Sequence, residues 1–192
     1  GIHAAIQNQT IVPLFCTSAT TNVGVSRLLD FIAKYGSSPV DRAKIVAKDP
    51  RSDENIDVEL ENGNPVVQVF KTISEAHVGD LSFFRVYSGK VTTGMNIFNT
   101  SRGTTERFGQ LFVLNGKNRI SVNSLNPGDI GAVVKLKDTH AGNTLCSSKF
   151  KVVIPEIKYP NPNIHSAIVL KSKGDEEKIS MGLASLSEED PT

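Results

Sequence analysis

The chain has 192 residues, 39% of them hydrophobic, and a formal net charge of +1. That length suits one full domain with additional pieces, or two small domains. The near-neutral charge excludes the strongly basic field of many DNA-binding domains, and no apolar run is long enough to span a bilayer. Cys16 and Cys146 are too few and too far apart to indicate a secreted disulfide scaffold, so we expect free thiols in a cytoplasmic protein.

The beginning of the chain predicts a strand, a loop and a helix. Residues 11–16 (IVPLFC) form a short apolar run, typical of a strand buried on both faces of a parallel sheet. Apolar residues then repeat at helical spacing, which predicts a helix over residues 23–35. Thr21 or Asn22 would cap its start, and Gly36 would take the left-handed conformation after its end. Because this unit cannot bury its own sheet, we expect the chain to be a piece of a longer protein.

Residues 37–64 are polar, carry charges of both signs and are predicted as a linker and surface excursion, with a short edge strand at residues 56–60. From residue 65 onward the pattern becomes all-β. The predicted strands span residues 66–73, 81–86, 96–99, 105–114 and 130–136, with a further short strand around Ile120 and Val122. In the last long strand, the even-numbered residues from Ile130 to Leu136 are predicted to face inward. Short strands with regularly spaced turns indicate a closed barrel or a sandwich.

The pattern changes again near the C-terminus. Residues 154–162 contain closely spaced prolines, which favour an extended connector and disfavour a helix. Residues 164–173 are predicted as a strand, and Asp175 is predicted to cap a short helix. The apolar face of that helix consists of Ile179, Leu183 and Leu186. Because a strand with one helix is an incomplete unit, we expect further sequence downstream in the parent protein.

Patterns that would indicate catalysis or metal binding are missing from the sequence. It contains no glycine-rich phosphate loop, no Asn-Lys-x-Asp guanine-reading motif and no Gly-x-Ser-x-Gly nucleophile elbow. The four histidines are scattered without metal-ligand spacing. His140 near Asp138 resembles a base with its orienting carboxylate, although an exposed loop histidine explains the pair more simply. We therefore predict no catalytic residue and no metal site in this chain.

Two groups of residues are candidates for binding. Ser18 and Ala19 lie in the loop after the first predicted strand, where α/β folds bind ligands, although an ordinary approach to the helix also explains this loop. Basic residues in the strands and turns of the predicted barrel could share a face and contact phosphates, or could form an ordinary solvated surface. These basic residues are Lys71, Arg85, Lys90, Arg102 and Arg107.

Several segments together resemble one protein family. Residues 70–73 (FKTI) and 78–89 (VGDLSFFRVYSG) closely resemble domain II of elongation factor G. The resemblance extends over almost the whole chain. Residues 12–19 (VPLFCTSA) resemble the end of the GTPase domain of that family, residues 127–145 resemble the closing strands of its barrel, and residues 188–192 (EEDPT) resemble the opening of its domain III.

The resemblance implies a mainly β fold. Its centre would be a closed Greek-key barrel of the translation-factor domain II type. An α/β remnant would precede it, and the start of an α+β ferredoxin-like domain would follow it. The implied divisions are residues 1–40 for the end of the GTPase domain, 41–64 for the linker, 65–155 for the barrel and 156–192 for the start of domain III.

The resemblance also implies a function. The parent would be a ribosome-associated translational GTPase, in which the barrel docks on the small ribosomal subunit and links the GTPase domain to the distal domains. GTP or GDP with Mg²⁺ would bind the full-length parent, while this fragment would hold no cofactor and would not be catalytic alone. We expect a cytoplasmic monomer that binds small-subunit rRNA and protein, and neither DNA nor a membrane.

The same resemblance assigns roles to candidate residues. Ser18 and Ala19 match the short guanine-contacting loop of the family, in which a backbone N–H meets the base. The barrel of the family touches rRNA, so basic residues of the barrel become candidates for RNA binding. These candidates are Arg85, Lys90, Arg102 and Arg107.

The sequence departs from the family pattern at several positions. Thr17 and Lys135 each stand where the family usually has glycine. Such departures favour an elongation-factor-G-like paralogue over the housekeeping translocase. An alternative is the ribosome-binding module of a ribosomal protection protein of the tetracycline-resistance type, which shares this architecture. A further alternative is an unrelated enzyme with a similar barrel, since one fold hosts many functions.

Overall fold

The structure is a computed structural model and describes residues 1–42, 44–75, 79–169 and 176–190. The chain divides into two compact units, Gly1–Ala43 and Lys44–Thr192. The helices are α1 (Ile2–Gln7), α2 (Val25–Tyr35) and α3 (Glu176–Glu189), with a 3₁₀ turn at Pro39–Asp41. The strands are β1 (Lys44–Lys48), β2 (Asn55–Glu59), β3 (Val66–Glu75), β4 (Gly79–Ser88), β5 (Val91–Thr92), β6 (Asn96–Asn99), β7 (Thr104–Arg107), β8 (Leu111–Asn115), β9 (Asn118–Val122), β10 (Ser124–Leu125), β11 (Ile130–Val134) and β12 (Thr144–Cys146).

The first unit contains the predicted helix but not the predicted strand. Residues 11–16 form no strand, and the side chains of Val12 and Leu14 are 89% and 92% exposed. A strand is stabilised by hydrogen bonds to a neighbour, and residues 1–42 contain no other strand that could provide them. The prediction of a strand buried on both faces over residues 11–16 is therefore wrong.

The ends of α2 also differ from the sequence-based expectation. Gly24 occupies the N-cap position with φ 76°, and no side chain there makes a capping hydrogen bond, so the predicted caps at Thr21 and Asn22 are wrong. Gly36 has φ −65° and ψ 145°, which is extended and not left-handed. In the following turn the Ser38 backbone N–H donates to the Asp41 carboxylate and holds the pKa of Asp41 below its ordinary value.

Residues 44–59 behave as part of the second unit and not as a linker. β1 and β2 pair as an antiparallel hairpin, so the edge strand predicted at residues 56–60 is present. Ala47 and Val58 are fully buried in a small apolar cluster that Val66, Cys146, Val152 and Ile154 complete. Polar residues alternate with these apolar ones, as expected for a half-buried hairpin. The many charges of the segment made it resemble a linker.

The second unit is built on an eight-stranded antiparallel sheet, which confirms the mainly β fold. The strand order is β7-β6-β12-β3-β4-β11-β8-β9. β5 precedes β6 near one end of that order, and β10 follows β9 at the other. β5 and β10 pair with each other, so the sheet curls and its two ends approach. The closed Greek-key barrel itself stays a prediction.

The core lies on the inner face of this sheet. In β4 the alternation buries Phe84 and Val86 completely, and the Phe84 ring lies 5.0 Å from that of Phe108. The main cluster consists of Val67, Val69, Phe84, Val86, Val91, Ile97, Phe108, Leu111, Leu125, Val133 and Leu145. Burial of these aliphatic and aromatic side chains is the principal stabilising contribution to the sheet.

The turn after β4 requires glycine. Gly89 has φ 63°, and a Cβ atom there would lie 2.4 Å from the carbonyl carbon of Asn64. Any side chain would therefore collide with backbone that cannot move independently. The close approach of the β2–β3 connection therefore explains why the Tyr-Ser-Gly segment of residues 87–89 ends in glycine.

The predicted strand over residues 105–114 is in fact two strands, β7 and β8. Phe108 ends the first, because its carbonyl accepts a 2.6 Å hydrogen bond from Gly94 N and its N–H donates to Met95 O at 2.9 Å. These bonds direct the chain across the end of β6 and place the Phe108 ring in the core. The apolar alternation of the sequence continued through this break and did not reveal it.

The inward face of β11 is opposite to the predicted one. Val133 lies in the main core, whereas Ile130 is 52% exposed. Gly131 also faces inward, where a Cβ atom would lie 2.2 Å from Leu125 Cδ1, so Leu125 fills the space that Gly131 leaves. Lys135 has φ 64°, which interrupts the alternation and allows Leu136 to pack on the same core as Val133.

The C-terminal segment matches the expectation only in its helix. Residues 164–169 form no strand, while residues 170–173 and the predicted cap Asp175 lie outside the described residues. The helix is α3, but Leu183 and Leu186 on its predicted apolar face are 46% and 61% exposed.

Replacement of Lys135 tests the cost of its left-handed backbone. Lys135→Gly should raise the free energy of unfolding by up to about 1 kcal/mol, because relief of the positive φ exceeds the entropy that glycine loses on folding. Equilibrium urea unfolding measures the change. Lys137→Gly, at a residue without positive φ, is the control and should lower stability. A lower stability of Lys135→Gly would contradict this account.

Candidate functional site

The loop before α2 is closed on itself by a short network. Ser18 and Val23 exchange backbone hydrogen bonds of 2.9 and 3.1 Å. The Ser18 hydroxyl accepts from the Thr21 hydroxyl at 2.8 Å and from the Thr21 N–H at 3.4 Å. Ser18 therefore has a structural role, because it holds residues 18–23 in a compact turn.

Ala19 lies on the outside of that turn. Its side chain is exposed, and within the described part of the chain no hydrogen bond engages its backbone N–H. An exposed N–H at a fixed position can donate to the edge of a planar ligand. The geometry is thus compatible with the predicted base contact at Ala19. Ser18 would contribute indirectly, because it holds the turn that positions Ala19.

The outward face of β4 carries a basic and aromatic row. Phe83, Arg85 and Tyr87 alternate with the buried Phe84 and Val86, so these three half-buried side chains point away from the main cluster, and Tyr87 packs against the smaller one. The Arg85 guanidinium lies 5.5 Å from the centre of the Tyr87 ring, which is a cation–π contact. We call Phe83, Arg85 and Tyr87 the β4 outer row.

Arg85 is half-buried and has one unsatisfied donor within the described part of the chain. Its Nε atom is buried and has no partner among the described residues. A guanidinium that lies over an aromatic ring, as Arg85 lies over Tyr87, can present its terminal donors in a fixed plane, which suits bidentate contact with a phosphate group. The β4 outer row can therefore offer charge and stacking surface together, as nucleic-acid binders do.

The predicted RNA-contacting residues do not form one patch. Lys90 follows β4, and Arg107 pairs with Asn96 at the start of β6, so the strand register places both at the same end of the sheet. Both side chains are exposed. Arg102 lies in the β6–β7 turn at the opposite end of the sheet, where Nε and one terminal nitrogen each lie 2.9 Å from Asp138 Oδ1. Arg102 is therefore already paired.

A buried carboxylate organises the loop that contains Asp138. Glu106 is 4% exposed, and its oxygens accept hydrogen bonds from the Lys137 N–H at 3.1 Å and from the Asp138 N–H at 2.7 Å. The Thr139 hydroxyl donates to the same carboxylate at 3.0 Å. Backbone N–H groups that converge on one point form a strong anion-binding site, and here the Glu106 carboxylate is the anion that they bind.

Asn99 fixes the same loop from a second direction. Its amide nitrogen donates to the Asp138 carbonyl at 3.1 Å and to the Asn143 side-chain oxygen at 3.1 Å. Its side-chain oxygen accepts from the Arg102 N–H at 3.1 Å. Residues 136–143, which we call the anchored loop, are thus held by two buried polar side chains. Sequence reasoning missed Glu106 and Asn99, because each lies near the end of its strand beside other polar residues and no local pattern marks it.

Neither a metal-binding cluster nor a membrane-spanning helix is present among the described residues. Across residues 1–42, 44–75, 79–169 and 176–190 no group of at least three His, Cys, Asp and Glu side chains could hold a metal ion. Within the same ranges, no helix combines the length and the apolar character needed to cross a membrane.

Comparisons with known proteins concern both the central segment and the whole chain. Residues 65–148 match the family model for elongation factor G domain 2. The chain is also similar to a crystal structure of a protein from Thermus thermophilus, with a TM-score of 0.78 and 25% sequence identity. That similarity covers 99% of this chain and 26% of the other, so the chain spans about a quarter of the length of that protein.

Truncation of Glu106 tests the anchored loop. Glu106→Ala should lower the free energy of unfolding by about 3 kcal/mol or more, because two backbone N–H groups and one hydroxyl lose their buried acceptor. Urea unfolding gives the value, and Glu61→Ala, at an exposed turn residue, is the matched control. Equal effects of the two substitutions would show that the carboxylate is not required.

Proposed function

We propose that the chain is part of a ribosome-associated translational GTPase of the elongation factor G family, whose domain II docks on the small ribosomal subunit. The match of residues 65–148 to domain 2 of that factor carries the proposal. In this role the second unit links a GTPase domain to distal domains, and the parent works as a monomer in the cytoplasm.

The chemistry of the second unit supports docking on RNA. The β4 outer row combines a guanidinium with aromatic surface, and Lys90 and Arg107 add exposed positive charge at one end of the sheet. Phosphates attract such charges without a need for sequence-specific contacts. Arg102 is the weakest of the candidates, because Asp138 already neutralises it.

The nucleotide chemistry is assigned to the parent protein. GTP or GDP with Mg²⁺ would be bound there, and Ala19 would add a backbone N–H to the contact with the guanine base. Phosphoryl transfer requires a phosphate-binding loop and a Mg²⁺ site, and this sequence contains no such loop. The non-glycine residues Thr17 and Lys135 further favour an elongation-factor-G-like paralogue as the parent.

Sedimentation with small ribosomal subunits over a salt series tests the docking. Binding should weaken steeply with salt, and Arg85→Gln or Lys90→Gln should each reduce the slope of log K against log [salt] by about 1. The matched control is Lys117→Gln, in the exposed turn between β8 and β9. Absence of binding at low salt, or equal slopes for all three variants, would contradict the proposal.

A phosphate-release assay tests the assignment of GTP hydrolysis to the parent. The 192-residue chain should release no phosphate from GTP, with or without ribosomes, because it lacks a phosphate-binding loop. The full-length parent is the positive control. Hydrolysis by the chain alone would overturn this part of the proposal.

A further inference from the structure

α3 contacts the sheet mainly through polar groups at its C-terminal end. Glu188 Oε2 lies 2.5 Å from His140 Nδ1, and Glu189 Oε1 accepts a 2.7 Å hydrogen bond from the backbone N–H of Ser74 in β3. The large apolar side chains contribute less, since Leu183 and Leu186 are 46% and 61% exposed. Hydrophobic burial therefore holds this helix only weakly, and the polar contacts decide whether it stays in place.

The charges of these glutamates oppose the helix that carries them. The C-terminal end of a helix has partial negative charge, and α3 has no basic residue in its last turn. Glu188 and Glu189 thus destabilise α3 considered alone. Their contacts with His140 and Ser74 exist only when the helix lies against the sheet. The two glutamates therefore destabilise the free helix and stabilise the helix that is packed on the sheet.

The surface that receives α3 is rigid. His140 belongs to the anchored loop, and its backbone N–H donates to the Asn143 side chain at 3.1 Å. Its Nε2 lies 3.9 Å from Asp138 Oδ1, and Asp138 is in turn paired with Arg102. Because Glu106 and Asn99 fix this loop from within the sheet, His140 stays in position when the helix moves.

Some buried polar atoms between α3 and the sheet lack hydrogen-bond partners among the described residues. A cavity of about 360 Å³ lies between α3, the anchored loop and strands β3 and β4. Thr72 Oγ1 and Glu188 Oε1 belong to residues that line it, and both atoms are buried without a partner among the described residues. Polar atoms in such a space favour water over close packing, which lowers the cost of separating the two surfaces.

We propose that α3 is a releasable element, held against the sheet by a polar latch in which Glu188 engages His140 and Glu189 engages the Ser74 N–H. The anchored loop is the fixed half of the latch, and the C-terminal turn of α3 is the mobile half. Opening leaves the sheet intact and frees α3. The inference rests on contacts within this chain and stands independently of ribosome docking.

Amide hydrogen exchange of the 192-residue chain tests the latch. Glu188→Gln and Glu189→Gln should each accelerate exchange in α3 by roughly threefold or more, because each removes a charge-assisted contact. Exchange in β4 should remain unchanged. A helix without the latch would respond in the opposite direction, since loss of a C-terminal negative charge stabilises it. Glu61→Gln, in the exposed β2–β3 turn, is the control variant.

Salt gives a second measurement that needs no substitution. At about pH 5, where an imidazole carries its proton and a glutamate remains ionised, raising NaCl from about 0.05 to about 1 M should accelerate exchange in α3 of the unaltered chain and have little effect on Glu188→Gln, because salt screens the pair with His140. Slower or unchanged exchange in the Gln variants, or protection of α3 by salt, would overturn the proposal. Faster exchange in both measurements would support it.

Discussion

The two-residue period of β4 is the constraint on which the second unit depends. β4 pairs with β3 on one side and β11 on the other, so its inward residues Phe84 and Val86 are fixed in the centre of the core. The same period places Phe83, Arg85 and Tyr87 outward. A slip by one residue would exchange the two faces and bury a guanidinium, which is strongly unfavourable. The pairing register of β4 therefore determines both which side chains form the core and which form the candidate RNA-binding face.

Much of the sheet was predictable because its signals are local. Alternating apolar residues between turn residues identified β3, β4, β6 and β11, and helical spacing identified α2 and α3. The failures have a common origin in longer-range structure. Residues 11–16 and 164–169 are apolar enough for strands but have no neighbouring strand among the described residues, and Phe108 ends β7 through bonds to Gly94 and Met95 that no local pattern indicates.

The candidate site was predictable in its residue types and not in its arrangement. Exposed basic residues could be read from the sequence, but the pairing of Arg102 with Asp138 joins residues that are distant in the chain. Glu106 is more instructive, because nothing in the neighbouring sequence distinguishes it from the exposed Arg107. Only the fold shows that this carboxylate is buried and replaces an external anion in the anchored loop.

The backbone bridge between Lys48 and Val153 has a mechanical consequence. Lys48 N donates to Val153 O at 2.8 Å, and Val153 N donates to Lys48 O at 2.9 Å. All strands from β2 to β12 lie between these residues in the chain. The residues that follow Val153 are also bonded to the large sheet, because Ile154 N donates to Thr144 Oγ1 in β12 at 2.9 Å and Gln68 Nε2 in β3 donates to Pro155 O at 3.1 Å. A tension between the two ends of the chain is therefore shared between the β1–β2 hairpin and the strands β3 and β12, and no single contact bears it alone.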